Sequence, residues 1–319
     1  MKLSAYTLEK SGKALSQPDP ELAPDWFTDE VIRWVDTTAA DPEEGTALLE
    51  PLRLHQSVVS AIQSRDNSPE VMWLDELLFV RMPYLGHDGQ RRSLALVCGP
   101  TAIVSIRTAP LDELDHLAGA LQTGTRTIQP SIPELLIEIF EAALRETKPA
   151  AFELRQEILE NSDTLGTEDC DLDAAELLEL KRRASRLACL IEDQLICLRE
   201  IATARPHALR LQSVGDELRS LIEIQEQARP IALRLDEQAR DLRRAYDGLL
   251  QEATNRRLNI IAVLSAIYLP ATLIAGVFGM NFREMPLTEF GSGYFIAIAI
   301  MATLVIGQLV FFWRRGFFE

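Results

Sequence analysis

Two apolar runs near the carboxyl end constrain this chain more than any other feature. Residues 258–279 read LNIIAVLSAIYLPATLIAGVFG and residues 293–313 read GYFIAIAIMATLVIGQLVFFW, and neither run contains a charged residue. At ~1.5 Å rise per residue, a helix of this length extends about 32 Å, enough to cross a hydrocarbon core of ~30 Å. The sequence therefore predicts two transmembrane helices, joined by an outer loop at residues 280–292.

The arginines that flank these runs predict the orientation of both helices. Two of them precede the first run and two follow the second, whereas the outer loop holds only Arg283. The four flanking residues are Arg256, Arg257, Arg314 and Arg315. Positive residues favour the cytoplasmic side, and residues 1–16 lack the apolar run of a signal peptide. We expect a multi-pass protein of a bacterial-type inner membrane with both termini, including a tail at residues 314–319, in the cytoplasm.

Charge and motif content exclude several classes of function. The chain holds 32 Lys and Arg against 48 Asp and Glu, a net charge of -16, which disfavours nucleic acid as a partner. It contains no P-loop, no GxSxG and no HExxH sequence. We therefore expect neither an enzyme nor an ATP-driven pump, and no cofactor.

Cysteine and histidine are scattered along the chain. The four cysteines form no CxxC pair, and the four histidines share no metal-ligand spacing. We expect the cysteines to be reduced and mostly buried, and we expect no structural zinc site. These residues are Cys98, Cys170, Cys189, Cys197, His55, His87, His116 and His207.

Residues 1–125 carry short β-branched or aromatic runs bounded by Gly, Pro or Asp, together with one helical segment. This mixture predicts an α/β cytoplasmic domain. The predicted strands are residues 31–35, 77–82, 94–97 and 102–106, and the predicted helix is residues 52–63.

Residues 126–257 read as long helices that form a stalk. The predicted helices are residues 133–161, with a break at Pro149, residues 172–204, and a helix of ~50 residues from Pro230 into the first apolar run. Apolar residues in the last helix are spaced by three and four, at Ile231, Leu235, Ala239, Leu242, Tyr246, Leu249 and Ala253. This seam fits packing against the preceding helix or self-association of several copies.

One face of the first apolar run carries small and hydroxyl residues. Stepping by three or four from Leu258 gives Ile261, Ser265, Leu269, Thr272, Gly276 and Gly279. Such a face fits close helix packing or the lining of a cavity. A chain with two transmembrane helices cannot enclose water alone, so a pore would need several copies in a closed ring.

The end of the first run carries a tripeptide, Gly279-Met280-Asn281, whose asparagine is eleven residues after Pro270. The motif and its placement resemble the CorA family of divalent-cation (magnesium/cobalt) transporters. The resemblance extends over an α/β cytoplasmic domain, long stalk helices and two C-terminal transmembrane helices. It implies a funnel-shaped homopentamer that imports hydrated Mg²⁺, or Co²⁺ and Ni²⁺, through a pore lined by the first transmembrane helix.

The resemblance also implies roles for individual residues. Gly279, Met280 and Asn281 would recognise the ion at the outer mouth, where an amide oxygen accepts hydrogen bonds from ion-bound water and Met280 packs to fix the loop. Family pore positions match Asn255, Leu258, Ile261, Leu269 and Thr272, and the stepping above adds Ser265 and Gly276. Glu284 and Glu289 would attract cations or are ordinary solvated loop charges. No residue is assigned to a regulatory metal site, although Asp216 and Glu217 lie near the expected region.

Three functions remain open at this stage. The first is Mg²⁺ uptake by a homopentamer in membrane lipid. The second is Zn²⁺ transport, with or without proton coupling, as in the related ZntB branch, which Asn255-Arg256-Arg257 resembles although an intact Gly-Met-Asn does not favour it. The third is a non-conducting, membrane-anchored sensor of the same fold.

Overall fold

The computed structural model describes residues 3–18, 20–39, 41–64, 68–74, 76–165, 172–203, 208–280 and 293–315. It divides into two compact units, Met1–Arg243 and Arg244–Glu319. The first unit contains a seven-stranded sheet with helices on both faces. The described part of the second unit contains the end of a long helix and one further helix, both apolar.

The sheet has the order β2-β1-β3-β7-β6-β5-β4. The central pair, β3 and β7, is parallel, and every other neighbouring pair is antiparallel. Because β7 is buried along its whole length, both faces of the sheet centre are covered. The strands are β1 (Leu3–Leu8), β2 (Ala14–Pro18), β3 (Arg33–Thr38), β4 (Glu70–Leu74), β5 (Leu77–Leu85), β6 (Arg91–Cys98) and β7 (Ala102–Arg107).

Eight α-helices are present in the described residues, several with a side-chain cap. Asp41 accepts a hydrogen bond from the backbone N–H of Glu43 at the start of α1, and Ser131 accepts one from that of Glu134 at the start of α4. The helices are α1 (Pro42–Leu49), α2 (Gln56–Gln63), α3 (Asp112–Thr123), α4 (Ile132–Arg145), α5 (Thr147–Thr164), α6 (Ala174–Thr203), α7 (Gly215–Phe278) and α8 (Gly293–Arg314).

Two hydrophobic cores lie on opposite faces of the sheet. Side chains alternate along a strand, so Trp34 of β3 enters the first core and its neighbour Val35 enters the second. The first core joins the sheet to α3, α4, α6 and the start of α7, and the second joins it to α1 and α2. Helices on both sides of the 125/126 boundary therefore share one core with the sheet, whereas the domain bounds given above stay a prediction.

A buried polar network links the parallel pair to α3. Arg107 of β7 donates to Asp36 Oδ2 at 2.6 Å, to Asp115 Oδ1 at 2.9 Å and to the carbonyl of Leu111 at 3.0 Å. Asp36 Oδ1 also accepts from the Ser105 hydroxyl, which in turn accepts from Trp34 Nε1. Burial raises the pKa of Asp36 above its usual value, although the Arg107 charge opposes the shift.

The structure confirms the four predicted strands, with β3 beginning two residues later than expected. The sequence prediction missed β1, β2 and β4, which form the edges of the sheet or lie next to one, and it missed α1 and α3. The predicted helix 52–63 is shorter, since Arg53 adopts a left-handed backbone (φ 48°) and α2 begins at Gln56.

The long predicted helices exist, but two of their bounds were wrong. The break expected at Pro149 lies at Glu146, between α4 and α5, because proline at the third residue of a helix lacks only an N–H that would be unpaired there. The last helix begins at Gly215, not near Pro230. An interior proline costs about 3 kcal/mol, and burial of Leu218, Leu221 and Leu235 on either side of it offsets that cost.

The predicted apolar seam of α7 is divided between two environments. Leu235, Ala239 and Leu242 are buried in the first unit, which supports packing within the chain. Ile231, at one end of the seam, and Leu249, near the other, are about half exposed. Self-association through the exposed ends stays a prediction.

Candidate functional site

Among the described residues, two helices are long and apolar enough to cross a membrane. One is the carboxyl-terminal part of α7, and the other is α8. Only 6% of the most apolar 18-residue window of each is buried in the chain. Because the core helix of a soluble protein would be mostly buried, these windows need an apolar environment that one copy of the chain does not supply.

All seven predicted pore positions on α7 are exposed in the single chain. Leu258, Ile261 and Leu269 are 57%, 60% and 73% exposed. At about 100° per residue, every position except Asn255 falls within an arc of about 80° on the helix. The structure therefore brings the predicted residues together on one uncovered stripe, and it leaves their role as pore lining untested.

The opposite side of α7 is covered. Val263 and Ile267 are 4% and 8% exposed, and they lie at about 200° and 240° when Ile261 is placed at 0°. On α8, Gly293 and Ala297 are buried with the same spacing of four. One covered face on each helix is the pattern of two helices packed along their length. The predicted pore stripe thus points away from the intrachain packing face.

The two hydroxyl residues of the stripe bond to their own helix. Ser265 Oγ donates to the carbonyl of Ile261, and Thr272 Oγ1 donates to the carbonyl of Tyr268, both at 2.8 Å. A hydroxyl that has given its hydrogen to the backbone presents only lone pairs to its surroundings. These side chains are therefore available as acceptors for hydrogen bonds from bound water.

The helix ends where the tripeptide begins. The N–H of Gly279 donates to the carbonyl of Ala275 at 2.9 Å, and that of Met280 donates to Val277 at 3.2 Å, which closes the last turn. Met280 is exposed, and the loop that it is expected to pack against lies outside the described residues, so its role stays a prediction. Asn281, Glu284 and Glu289 lie outside the described residues.

The described residues hold no group of three or more His, Cys, Asp or Glu side chains arranged for a metal ion. Asp216, one of the residues near the expected regulatory region, accepts a hydrogen bond from Arg219 at 2.8 Å, and Glu217 is exposed. Cys98 and Cys197 are buried as expected, whereas Cys189 is exposed and Cys170 lies outside the described residues.

A family model matches residues 29–315, with the description CorA-like Mg²⁺ transporter protein. The chain belongs to this CorA family. The match includes strands β3 to β7 of the sheet, the long helix and both apolar helices, as the resemblance implied. The family is one of membrane transporters, which agrees with the expectation that the chain is not an enzyme.

Named relatives include both magnesium and zinc transport proteins. The magnesium transport protein CorA of Haemophilus ducreyi is 24% identical over 311 residues, covering 93% of this chain and 94% of the relative. The zinc transport protein ZntB of Pectobacterium atrosepticum is 22% identical over 306 residues, covering 89% and 86%. YfjQ of Bacillus subtilis, a candidate metal ion transporter, is 34% identical over 156 residues, which span 49% of this chain and 46% of YfjQ.

Solved structures share the same fold. The CorA magnesium transporter of Methanocaldococcus jannaschii superimposes with a TM-score of 0.75 at 16% identity, covering 99% of both chains. The full-length CmaX protein gives the same TM-score at 17% identity, covering 98% of this chain and 97% of CmaX. At such identities the similarity establishes the architecture and not the transported ion.

Sequence reasoning missed the residues that orient the stripe. Val263 and Ile267 are ordinary apolar residues within an apolar run, and only their burial distinguishes them from their neighbours. Their spacing of four was visible in the sequence. From the sequence alone this spacing did not identify the packed face, because the exposed stripe shows the same spacing.

Proposed function

We propose that several copies of this CorA-like protein form a channel that imports hydrated Mg²⁺ along the exposed stripe of α7. Co²⁺ and Ni²⁺, which carry the same charge, would use the same path. The observation that carries the proposal is the exposure of the predicted pore positions, of which all but Asn255 lie on the side of α7 opposite Val263 and Ile267. Hydroxyl and glycine positions gain nothing from facing lipid, whereas a ring of copies, a homopentamer in the resemblance, would turn them towards a shared axis.

Hydrogen-bond acceptors suit a hydrated dication. Mg²⁺ dehydrates reluctantly, and its bound waters point their hydrogens outward. Thr272 and Ser265 present lone pairs because their hydrogens are given to backbone carbonyls. The amide oxygen of Asn281 would act in the same way at the outer mouth, with Gly279 and Met280 holding its backbone, and Glu284 and Glu289 would raise the local cation concentration.

Rings of apolar side chains would control the passage of ions through the pore. Leu258, Ile261 and Leu269 present exposed large side chains on the stripe, and rings of such residues close a pore by losing water. With both termini in the cytoplasm, an inside-negative potential drives import. It supplies ~2.3 kcal/mol per charge per 100 mV, hence about twice that for a dication.

Thr272 offers the sharpest test, because α8 provides a matched control. Thr303 Oγ1 donates to the carbonyl of Ala299 at 2.8 Å, the same bond that Thr272 makes, and both residues are exposed. In vesicles loaded with a magnesium-sensitive dye, Thr272→Val should slow Mg²⁺ uptake several-fold, whereas Thr303→Val should leave it unchanged. Thr272→Ser, which keeps the acceptor, should retain most of the uptake. Equal effects of the two valine variants would contradict the pore assignment.

Substitution at Asn281 distinguishes the channel from a non-conducting sensor. A channel should lose Mg²⁺ uptake in Asn281→Ala while its oligomeric size on gel filtration stays the same. A wild-type protein that is correctly assembled in vesicles, yet passes no divalent ion, would instead support the sensor.

Zinc transport is the second candidate. The Asn255-Arg256-Arg257 sequence before the membrane segment and the similarity to a ZntB protein over 89% of the chain favour it. Uptake of Mg²⁺ and Zn²⁺ should be compared with and without a proton gradient. Faster Zn²⁺ uptake that depends on the gradient would replace the magnesium proposal.

A further inference from the structure

Four arginines lie at matching ends of the two apolar helices. Arg257 to Phe278 on α7 and Gly293 to Arg314 on α8 are each 21 residue steps, or about 32 Å. Both helices belong to one compact unit, each has one covered face, and only residues 279–292 connect them. The connecting segment carries Arg283, Glu284 and Glu289, which are costly to place in hydrocarbon, so two helices that each cross the membrane should run antiparallel, with Arg256 and Arg257 at the same end as Arg314 and Arg315.

Few carboxylates of the described residues lie close enough to these arginines to form ion pairs with them. All four are exposed. Within the described part of the unit, the one carboxylate within ion-pair distance of any of them is Glu252, whose Oε1 is 3.3 Å from Arg256 in an exposed pair. The Arg315 guanidinium lies 5.4 Å from the centre of the Phe311 ring, a contact that orients the charge without neutralising it.

The local charge contrasts with the rest of the chain. Residues 244–319 hold six Lys or Arg and five Asp or Glu, so the acidic surplus belongs entirely to residues 1–243. An acidic protein is repelled by an anionic surface unless a basic patch faces it. The arginine end of the second unit is such a patch.

Aromatic residues place this end at the depth of lipid headgroups. Trp313 is 74% exposed and directly precedes Arg314, and Phe311 is 54% exposed. Tryptophan favours the boundary between hydrocarbon and headgroup, and arginine side chains extend from that level towards phosphate. The four guanidinium groups therefore meet the phosphate layer rather than bulk water.

We propose that Arg256, Arg257, Arg314 and Arg315 bind the headgroup of an anionic phospholipid of the phosphatidylglycerol class. Guanidinium groups form paired hydrogen bonds with phosphate oxygens, and two chain segments that converge on one headgroup fix its position. Each arginine contributes roughly fivefold to the association constant of the lipid, and high salt weakens the contribution. The site binds lipid whichever ion the channel passes.

Trp313 is a built-in reporter for this binding. Trp26, Trp34 and Trp73 belong to the first unit, and a Trp313→Phe variant measures their share of the fluorescence, so the difference between the two proteins reports quenching of Trp313 by bromine on a lipid acyl chain. The full-length protein is reconstituted in mixtures of phosphatidylcholine and phosphatidylglycerol with the bromine on one lipid or the other. The ratio of the two quenching curves gives the preference for the anionic lipid at this helix end.

The wild-type protein should prefer phosphatidylglycerol by at least fivefold at low salt. Arg314→Gln/Arg315→Gln and Arg256→Gln/Arg257→Gln should each lower the preference several-fold, and the fourfold variant should bring it near one, while Arg219→Gln, an exposed arginine of the first unit, should leave it unchanged. Circular dichroism checks that the variants keep their helix content. A wild-type ratio near one, or a preference that survives all four substitutions, would overturn the proposal. Neither outcome depends on ion flux, so the channel proposal stands or fails separately.

Discussion

Removal of the Arg107 guanidinium tests the buried network that joins the parallel strands to α3. Arg107→Met keeps the length of the side chain but deletes the donors to Asp36, Asp115 and the Leu111 carbonyl. Asp36 is only 7% exposed, so its carboxylate would remain buried without a compensating charge. Breaking one side of a buried ion pair costs about 3–5 kcal/mol. We expect a loss of unfolding free energy in this range at pH 8.

The loss should shrink as the pH falls. Burial already raises the pKa of Asp36, and the Arg107 charge is the strongest effect that opposes this rise. Removing that charge should therefore raise the pKa of Asp36 further. Between the ordinary pKa of the unfolded carboxyl group and the raised folded value, the folded state binds more protons than the unfolded state. Stability therefore falls as pH rises through this window. Each pH unit within it contributes about 1.4 kcal/mol, so Arg107→Met should be closer to the wild type at pH 5 than at pH 8.

Urea unfolding of the detergent-solubilised protein, followed by tryptophan fluorescence at pH 5 and pH 8, measures both effects. Asp36→Asn in the Arg107→Met background should abolish the additional pH dependence, because the group that titrates is gone. Arg155→Met, an exposed substitution on α5, should change stability by less than ~0.5 kcal/mol. A pH-independent loss, or one that keeps its pH dependence without Asp36, would refute the reasoning.

Two glycines and three cysteines give further predictions. Gly99→Ala should destabilise by about 1–3 kcal/mol, because a Cβ there would overlap the Phe27 ring. Gly119→Ala in α3, where a Cβ meets nothing within 4 Å, should stabilise by up to ~1 kcal/mol, and thermal unfolding compares the two. Cys189 is exposed, whereas burial raises the pKa of Cys197 to about 12 and that of Cys98 still further. In a Cys170→Ser background, maleimide at pH 7 should therefore label Cys189 alone until the protein unfolds, and rapid labelling of a second thiol in the folded protein would contradict this.

The interior of the sheet was predictable because its strands are locally unambiguous. Residues 77–82 and 102–106 are apolar runs bounded by turn residues, and both became strands with nearly those bounds. The edge strand β4 and strand β1, which lies beside the opposite edge, were not predicted, since a short segment becomes a strand only when a neighbour pairs with it. β1 pairs with β3 from a position about 30 residues away in the chain.

The Asp36–Arg107 pair shows a second limit of local reasoning. Its members are 71 residues apart and neither belongs to a sequence motif. They meet because β3 and β7 are parallel neighbours, in register so that Asp36 lies opposite Ser105. Nothing in the sequence distinguishes Asp36 from a solvent-exposed acidic residue, whereas in the fold it is buried and paired with Arg107.

The two apolar helices and the Gly-Met-Asn tripeptide after the first of them were predictable from consecutive residues alone, because hydropathy and short motifs are local properties. The covered side of α7 and the residue at which that helix begins depend on packing between distant parts of the chain. Residues 258–279 show a spacing of three and four on more than one side of the helix. Only the burial of Val263 and Ile267 identifies the side that packs within the chain. α7 continues through Pro230 because packing against side chains distant in sequence offsets the hydrogen bond that proline cannot form. That packing cannot be read from any local sequence pattern.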